Sequence, residues 1–166
     1  MPLFGTALRP TRPLSRHPRA GRLLRRVELC LQQFPELAEQ QITVGITRSA
    51  EGIAVLEDMT VRFDLRRRVP TNYVIGHELT HLLQALRLVP HGEVQCDVWT
   101  LARHPVFLDE APCYLDLPDS LRAAWPEYAR RVGDLCRRSI EVRTHRRTYL
   151  QWLRHRIDEL AIDQSG

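Results

Sequence analysis

Residues 74–83, Val-Ile-Gly-His-Glu-Leu-Thr-His-Leu-Leu, constrain the fold of this chain more than any other stretch. His77 and His81 stand four apart, with Glu78 beside the first. On an α-helix four residues turn through about 400°, so both imidazoles leave one face, a turn apart. The flanking residues Val74, Ile75, Gly76, Leu79, Thr80, Leu82 and Leu83 are all uncharged. Such flanks suit a helix buried at the floor of a cleft, and the neighbouring elements must supply its walls.

The surrounding pattern is mixed. Leu23, Leu24, Val27, Leu31 and Phe34 recur at three- and four-residue spacing and predict a helix over about Ala20–Gln40, ended or kinked by Pro35. Three short runs rich in β-branched residues follow, Ile42–Thr47, Gly52–Leu56 and Thr60–Leu65, separated by turn-like segments. They predict a small, mostly antiparallel sheet of about three strands. Pro70-Thr71-Asn72 signals a helix start, and that helix runs to about Leu86–Leu88. Pro90 opens a second helix ending near Arg103, and Pro-rich residues 104–118 read as an irregular connection. Apolar stripes predict closing helices over about Asp119–Ile140, kinked near Pro126, and Arg143–Ala161. The expected class is α+β: a small sheet packed on the histidine-bearing helix, with a helical C-terminal half. No internal repeat or linker marks a second domain, so residues 21–166 read as one domain behind an arm, residues 1–20.

Two neutral imidazoles at this spacing can hold one Zn²⁺, and Glu78 can take a proton from a water on it. A catalytic zinc needs a third protein donor and an open position. Glu93 and Asp97 are four apart on the next helix. In an antiparallel helix pair Glu93 falls opposite His81, and Asp97 falls opposite His77. Only eleven residues separate His81 from Glu93, so where the first helix ends decides which carboxylate reaches the metal. His91 and Cys96 are further candidates.

The motif resembles that of the zincin metallopeptidases, over roughly residues 70–103 and with its weight on His77, Glu78 and His81. In the gluzincin branch a later Glu is the third ligand, and an Asp four residues on holds the first histidine. By that resemblance Glu93 is the ligand and Asp97 its neighbour's support; Asp97 takes the ligand's place if the first helix runs on, as in the aspzincin branch. Pro90-His91-Gly92-Glu93 is similar to the His-Gly of SprT-like DNA-associated proteases, whose histidine binds the metal. The extended metzincin pattern is absent, since Gln84 and Arg87 stand where its glycine and third histidine would be. The resemblance implies hydrolysis of a protein or peptide substrate, with Glu78 as general base. Tyr73, His104, Tyr114 and His145 are the candidates to stabilise an oxyanion.

Charge raises a second possibility. The net charge is +4, and all 24 basic residues are arginine. No acid interrupts the run from Arg9 to Arg26, and Arg66-Arg67-Arg68 forms another cluster. The arm therefore reads as mobile until bound, with nucleic acid as a candidate partner. A non-catalytic zincin fold that binds nucleic acid, or a SprT-like protease whose substrate is presented on DNA, is the alternative to a plain peptidase. Cys30, Cys96, Cys113 and Cys136 are far apart and read as reduced, buried thiols. No apolar run suits a membrane span and the N-terminus lacks a signal core, so a cytoplasmic protein is expected.

Overall fold

The computed structural model describes residues 7–162, and its architecture is α+β. Four strands form one mixed sheet: β1 (Ala7–Pro10), β2 (Gln41–Ile46), β3 (Gly52–Val55) and β4 (Thr60–Phe63). Their spatial order is β1-β2-β4-β3. β1 and β4 each pair parallel to β2, with Leu8 opposite Ile42 and Val61 opposite Val44, and only β3–β4 is antiparallel. The expected mostly antiparallel, three-strand sheet is corrected on both counts. The reason lies in burial. β4 buries Thr60, Val61 and Phe63, as an inner strand must, whereas every residue of β3 is half-buried. β3 therefore takes the edge and β4 slots in beside β2, so chain order and spatial order differ.

Residues 7–20, set apart above as an arm, contribute β1 and the short helix α1 (Arg12–Ser15). Pro10 sits at the end of an edge strand, where its missing N–H costs nothing. Thr11 caps α1 through its hydroxyl and donates its own N–H to Val44 at 2.8 Å, while Leu14 is fully buried. α2 (Ala20–Leu31) stops short of the expected Gln40, and Pro35–Leu37 form a single 3-10 turn instead. α2 buries Leu23, Val27, Cys30 and Leu31.

α3 (Asn72–Ala85) carries the paired histidines and is buried around almost its whole circumference. It packs against α2, β3 and α4 (Glu93–Arg103). Thr71 caps it, its hydroxyl accepting from Val74 N at 3.3 Å. Asp109 accepts from the free amides of Asn72 and Tyr73 at 2.8 and 2.9 Å. A negative carboxylate at a helix N-terminus also complements the macrodipole. The connection 104–118 is thus ordered by its task of closing the top of α3. Gly76 permits the α3–α4 approach: a Cβ there would lie 2.6 Å from Phe107 and 2.9 Å from Thr100. Beneath it, the hydroxyls of Thr80 and Thr100 pair at 2.8 Å.

α5 (Asp119–Ala123) and α6 (Trp125–Arg143) replace the single kinked helix expected there. Pro126 lies in the first turn of α6, where a proline is tolerated and no kink is needed. α6 packs on α4 and on α7 (Tyr149–Ile162). Three cysteines are buried, but Cys113 is exposed, and all four are free thiols. Among the described residues no helix is long and apolar enough to cross a membrane.

The turn between α3 and α4 resolves where the first helix ends. Leu88 N donates to Leu83 O and Arg87 N to Gln84 O, both at 2.9 Å. These are the two crossed bonds of a Schellman motif, so helical pairing stops at Leu86. Arg87 occupies the left-handed position at φ 59°, where glycine is favoured. A non-glycine residue there costs about 1–2 kcal/mol. Arg87→Gly should therefore raise the stability to urea unfolding by about 0.5–1 kcal/mol, after the extra freedom of glycine in the unfolded chain is subtracted. An unchanged or lowered unfolding midpoint would contradict this account of the turn.

Candidate metal centre

The site is built by two helices and an edge strand. α3 presents His77, Glu78 and His81 to a cleft of about 350 Å³, which Gly52, Ile53, Ala54 and Leu56 line from the β3 side. Glu93 and Tyr114 close the opposite side. Because α3 ends at the Schellman turn, α4 can begin at Glu93 and fold straight back along it.

Asp97 and His77 meet as the hairpin geometry predicts: His77 Nδ1–H donates to Asp97 Oδ1 at 2.8 Å. Asp97 is fully buried, yet each of its lone-pair directions is used. Tyr73 donates its hydroxyl to Oδ1, and the amides of Tyr114 and Leu115 each donate to Oδ2 at 2.7 Å. The Tyr73 oxygen in turn accepts from Cys113 N at 2.8 Å. Each oxygen of this buried carboxylate thus accepts two hydrogen bonds. Burial lowers the His77 pKa, but Asp97, Glu78 and Glu93 outweigh it, and the net direction is upward.

Glu93 lies opposite both rings. Its Oε2 is 3.0 Å from His77 Nε2 and 3.1 Å from His81 Nε2. The hydrogen-bond logic shows what such a meeting requires. Gln84 Nε2 donates to Pro90 O at 2.7 Å and to Gly92 O at 2.9 Å. Gln84 must therefore offer its carbonyl to His81 Nδ1, 2.9 Å away, and that nitrogen must carry the proton. With both Nδ1–H groups donated, neutral imidazoles aim two lone pairs at a carboxylate oxygen. Three acceptors at this spacing repel one another unless a proton or a metal ion is shared among them, and the donor set suits a metal.

Cys96 offers another third donor. His77, His81 and Cys96 have ligand atoms within 4.8 Å of one another and could hold a metal ion. The thiol, however, sits on the far side of His81, 3.2 Å from Nδ1. It does not line the cleft. Burial drives its pKa strongly up, so the free thiol keeps its proton, which a coordinated metal would displace. His91 is exposed in the turn and makes no hydrogen bond or ion pair with the site among the described residues.

Glu78 faces the strand rather than the two histidines. Burial pushes its carboxyl up to about 7 and Glu93 adds repulsion, while His77 and the Ala54 amide pull it down. Gly52 lets Glu78 pack this closely, since a Cβ there would lie 2.7 Å from Glu78 Oε1 and the carboxylate would have to move. Of the four oxyanion candidates, the structure brings only Tyr114 to the cleft. Its ring stacks on His77 at 5.4 Å between centroids, and the residue is 53% exposed. Tyr73 is committed to Asp97, His104 caps the 3-10 turn at Pro105–Phe107, and His145 is exposed at the end of α6.

Sequence reasoning missed Gln84 and Gly52. Gln84 was visible only as a departure from another motif, and its role depends on a turn whose shape the residues alone do not reveal. Gly52 carries no pattern of its own.

Removing the Asp97 carboxylate leaves a phenol, an imidazole and two amides without their acceptor in the α3–α4 interior. Asp97→Ala should lower stability by at least about 3 kcal/mol, read by urea unfolding; a loss under about 1 kcal/mol would show that these donors find other partners. Comparison with protein-family models, with curated proteins and with solved structures finds no match to this chain.

Proposed function

We propose that this chain is a zinc-dependent metallopeptidase of gluzincin-like arrangement, in which His77, His81 and Glu93 hold the metal and Glu78 is the general base. The observation that carries the reading is the meeting of Glu93 Oε2 with Nε2 of both histidines, while Asp97 and Gln84 hold the two opposite nitrogens. Two imidazoles and one carboxylate suit zinc, and three protein donors leave a position open on the cleft side. The half-exposed Glu93 can swing by the small distance that a metal between the three groups needs.

A bound Zn²⁺ would supply a Lewis acid that acidifies water and polarises a peptide carbonyl. The chain's own residues would do the rest. Glu78, buried against β3 and close to neutral in affinity for a proton, takes one from the attacking water and returns it to the leaving amine. β3 pairs with β4 on one side only, so its other edge can add an extended peptide as a further strand along the cleft. Tyr114 stacks on His77 and lines the cleft, and its hydroxyl is the candidate donor to the oxygen on which charge develops. With their protons pinned on Nδ1, His77 and His81 would offer their Nε2 lone pairs to the metal.

The purified protein should contain close to one zinc per chain by elemental analysis. His77→Ala and Glu93→Gln should lose it, whereas Cys96→Ser should keep it. Retention in Glu93→Gln together with loss in Cys96→Ser would instead assign the third ligand to the thiol. Glu78→Gln should keep the metal and lose peptide hydrolysis by about 10²–10⁴-fold. Zinc-free protein whose metal content does not respond to His77→Ala would sink the proposal.

A further inference from the structure

A dense cluster of arginines lies away from the cleft. Arg19, Arg22, Arg25 and Arg26 on α2 face Arg67 and Arg68 in the loop after β4, across a groove of about 620 Å³ that Leu29 and Val69 complete. The two basic runs are some forty residues apart in sequence, and the fold brings them together. The walls are fixed to each other by arginine itself. Arg19 donates to Leu65 O at 2.7 Å, and Arg26 donates to Pro70 O at 2.8 Å. A carbonyl orients a guanidinium without cancelling its charge. Arg68 is ion-paired with Glu51 and Glu110, and Arg67 lies in the field of Asp64 without a direct ion pair. Arg22, Arg25 and Arg67 have no hydrogen-bonded or ion-paired partner among the described residues.

Holding these cations side by side in the free protein is unfavourable, and a bound polyanion would relieve it. The shape narrows the choice of polyanion. From Arg19 to Arg26 the α2 wall extends about 10 Å at 1.5 Å per residue, so the charges form a row instead of converging on one point. A single inorganic phosphate would use a fraction of it. A membrane surface favours a flat basic face with apolar side chains to insert, and here the basic groups line the two sides of a groove. A row of guanidinium groups with bidentate donors matches a chain of phosphates. The surface continues beyond Arg67 and Arg68 to Arg48 and Arg66, although Asp64 pairs with Arg66 there.

We infer that this groove binds the phosphate backbone of a nucleic acid, without reading its sequence. Arg22, Arg25 and Arg67 make the contacts, and Arg19 and Arg26 add the field. This binding is independent of the peptidase reading and uses none of its residues.

Fluorescence anisotropy of labelled single-stranded and duplex oligonucleotides, against the full chain from 25 to 200 mM salt, tests the inference. Binding should weaken with salt, with a logarithmic slope of about −2 to −3.5 for single strands making three to five phosphate contacts. Replacing Arg22, Arg25 and Arg67 together by alanine should weaken binding at least about tenfold and flatten the slope by about 2. A control of equal charge, Arg130, Arg146 and Arg147 to alanine, should stay within about twofold. Equal losses in both variants would reduce the effect to net charge and overturn the assignment. So would absence of binding at 25 mM salt, full competition by millimolar inorganic phosphate, or retention on anionic phosphatidylserine vesicles with none on oligonucleotides.

Discussion

One buried carboxylate organises this protein. Asp97 lies in the interior of the α3–α4 hairpin, where an unpaired charge would cost several kcal/mol. It is tolerable there because four donors reach it from two parts of the chain: Tyr73 and the motif histidine on α3, and the amides of Tyr114 and Leu115 in the following connection. The same bonds that satisfy the anion therefore fix the spacing of two helices, hold an irregular loop against them and select the tautomer of His77. Fold and candidate site share this group, and neither has a version without the other.

Gln84 does for His81 what Asp97 does for His77, with a neutral amide in place of a charge. Its two donor bonds to the turn carbonyls leave only the oxygen to face the ring. The contrast has an electrostatic consequence. A carboxylate behind His77 makes that imidazole more basic, while an amide behind His81 orients without adding charge, so the two rings are unequal donors. The strand side completes the arrangement. Because β3 is an edge, the cleft has backbone for a wall: the Ala54 amide bonds Glu78, and Gly52 lets the strand lie directly against it.

The paired histidines, their buried helix and the Glu93–Asp97 partnership were legible in the sequence because helical spacing translates directly into facing side chains. Class was legible too, since the strand-like runs and apolar helical stripes are local patterns. What escaped depends on contacts between distant segments. Ala-Leu-Arg-Pro in β1 has neither length nor alternation, and it becomes a strand only because β2 offers it an edge. The parallel pairing of β2 with β4 follows from which strand is buried more deeply, a comparison that adjacent runs of similar composition do not reveal. Pro126 was visible as a disturbance, but whether it kinks a helix or starts one depends on the break at Ala124. The meeting of the α2 arginines with Arg67 and Arg68 required the fold itself.

The turn from Leu86 to Gly92 acts as a ruler between the two helices. Its length sets where α4 begins alongside α3, and with it the placement of Asp97 in the interior and of Glu93 opposite both imidazoles. Side chains in the turn face far weaker demands, as the exposed Arg87 and Leu88 show. In diverging descendants of this chain Leu88 is therefore free to vary, whereas the buried Val89, the positive φ of Gly92 and the length of the segment are held by the fold and the candidate centre together.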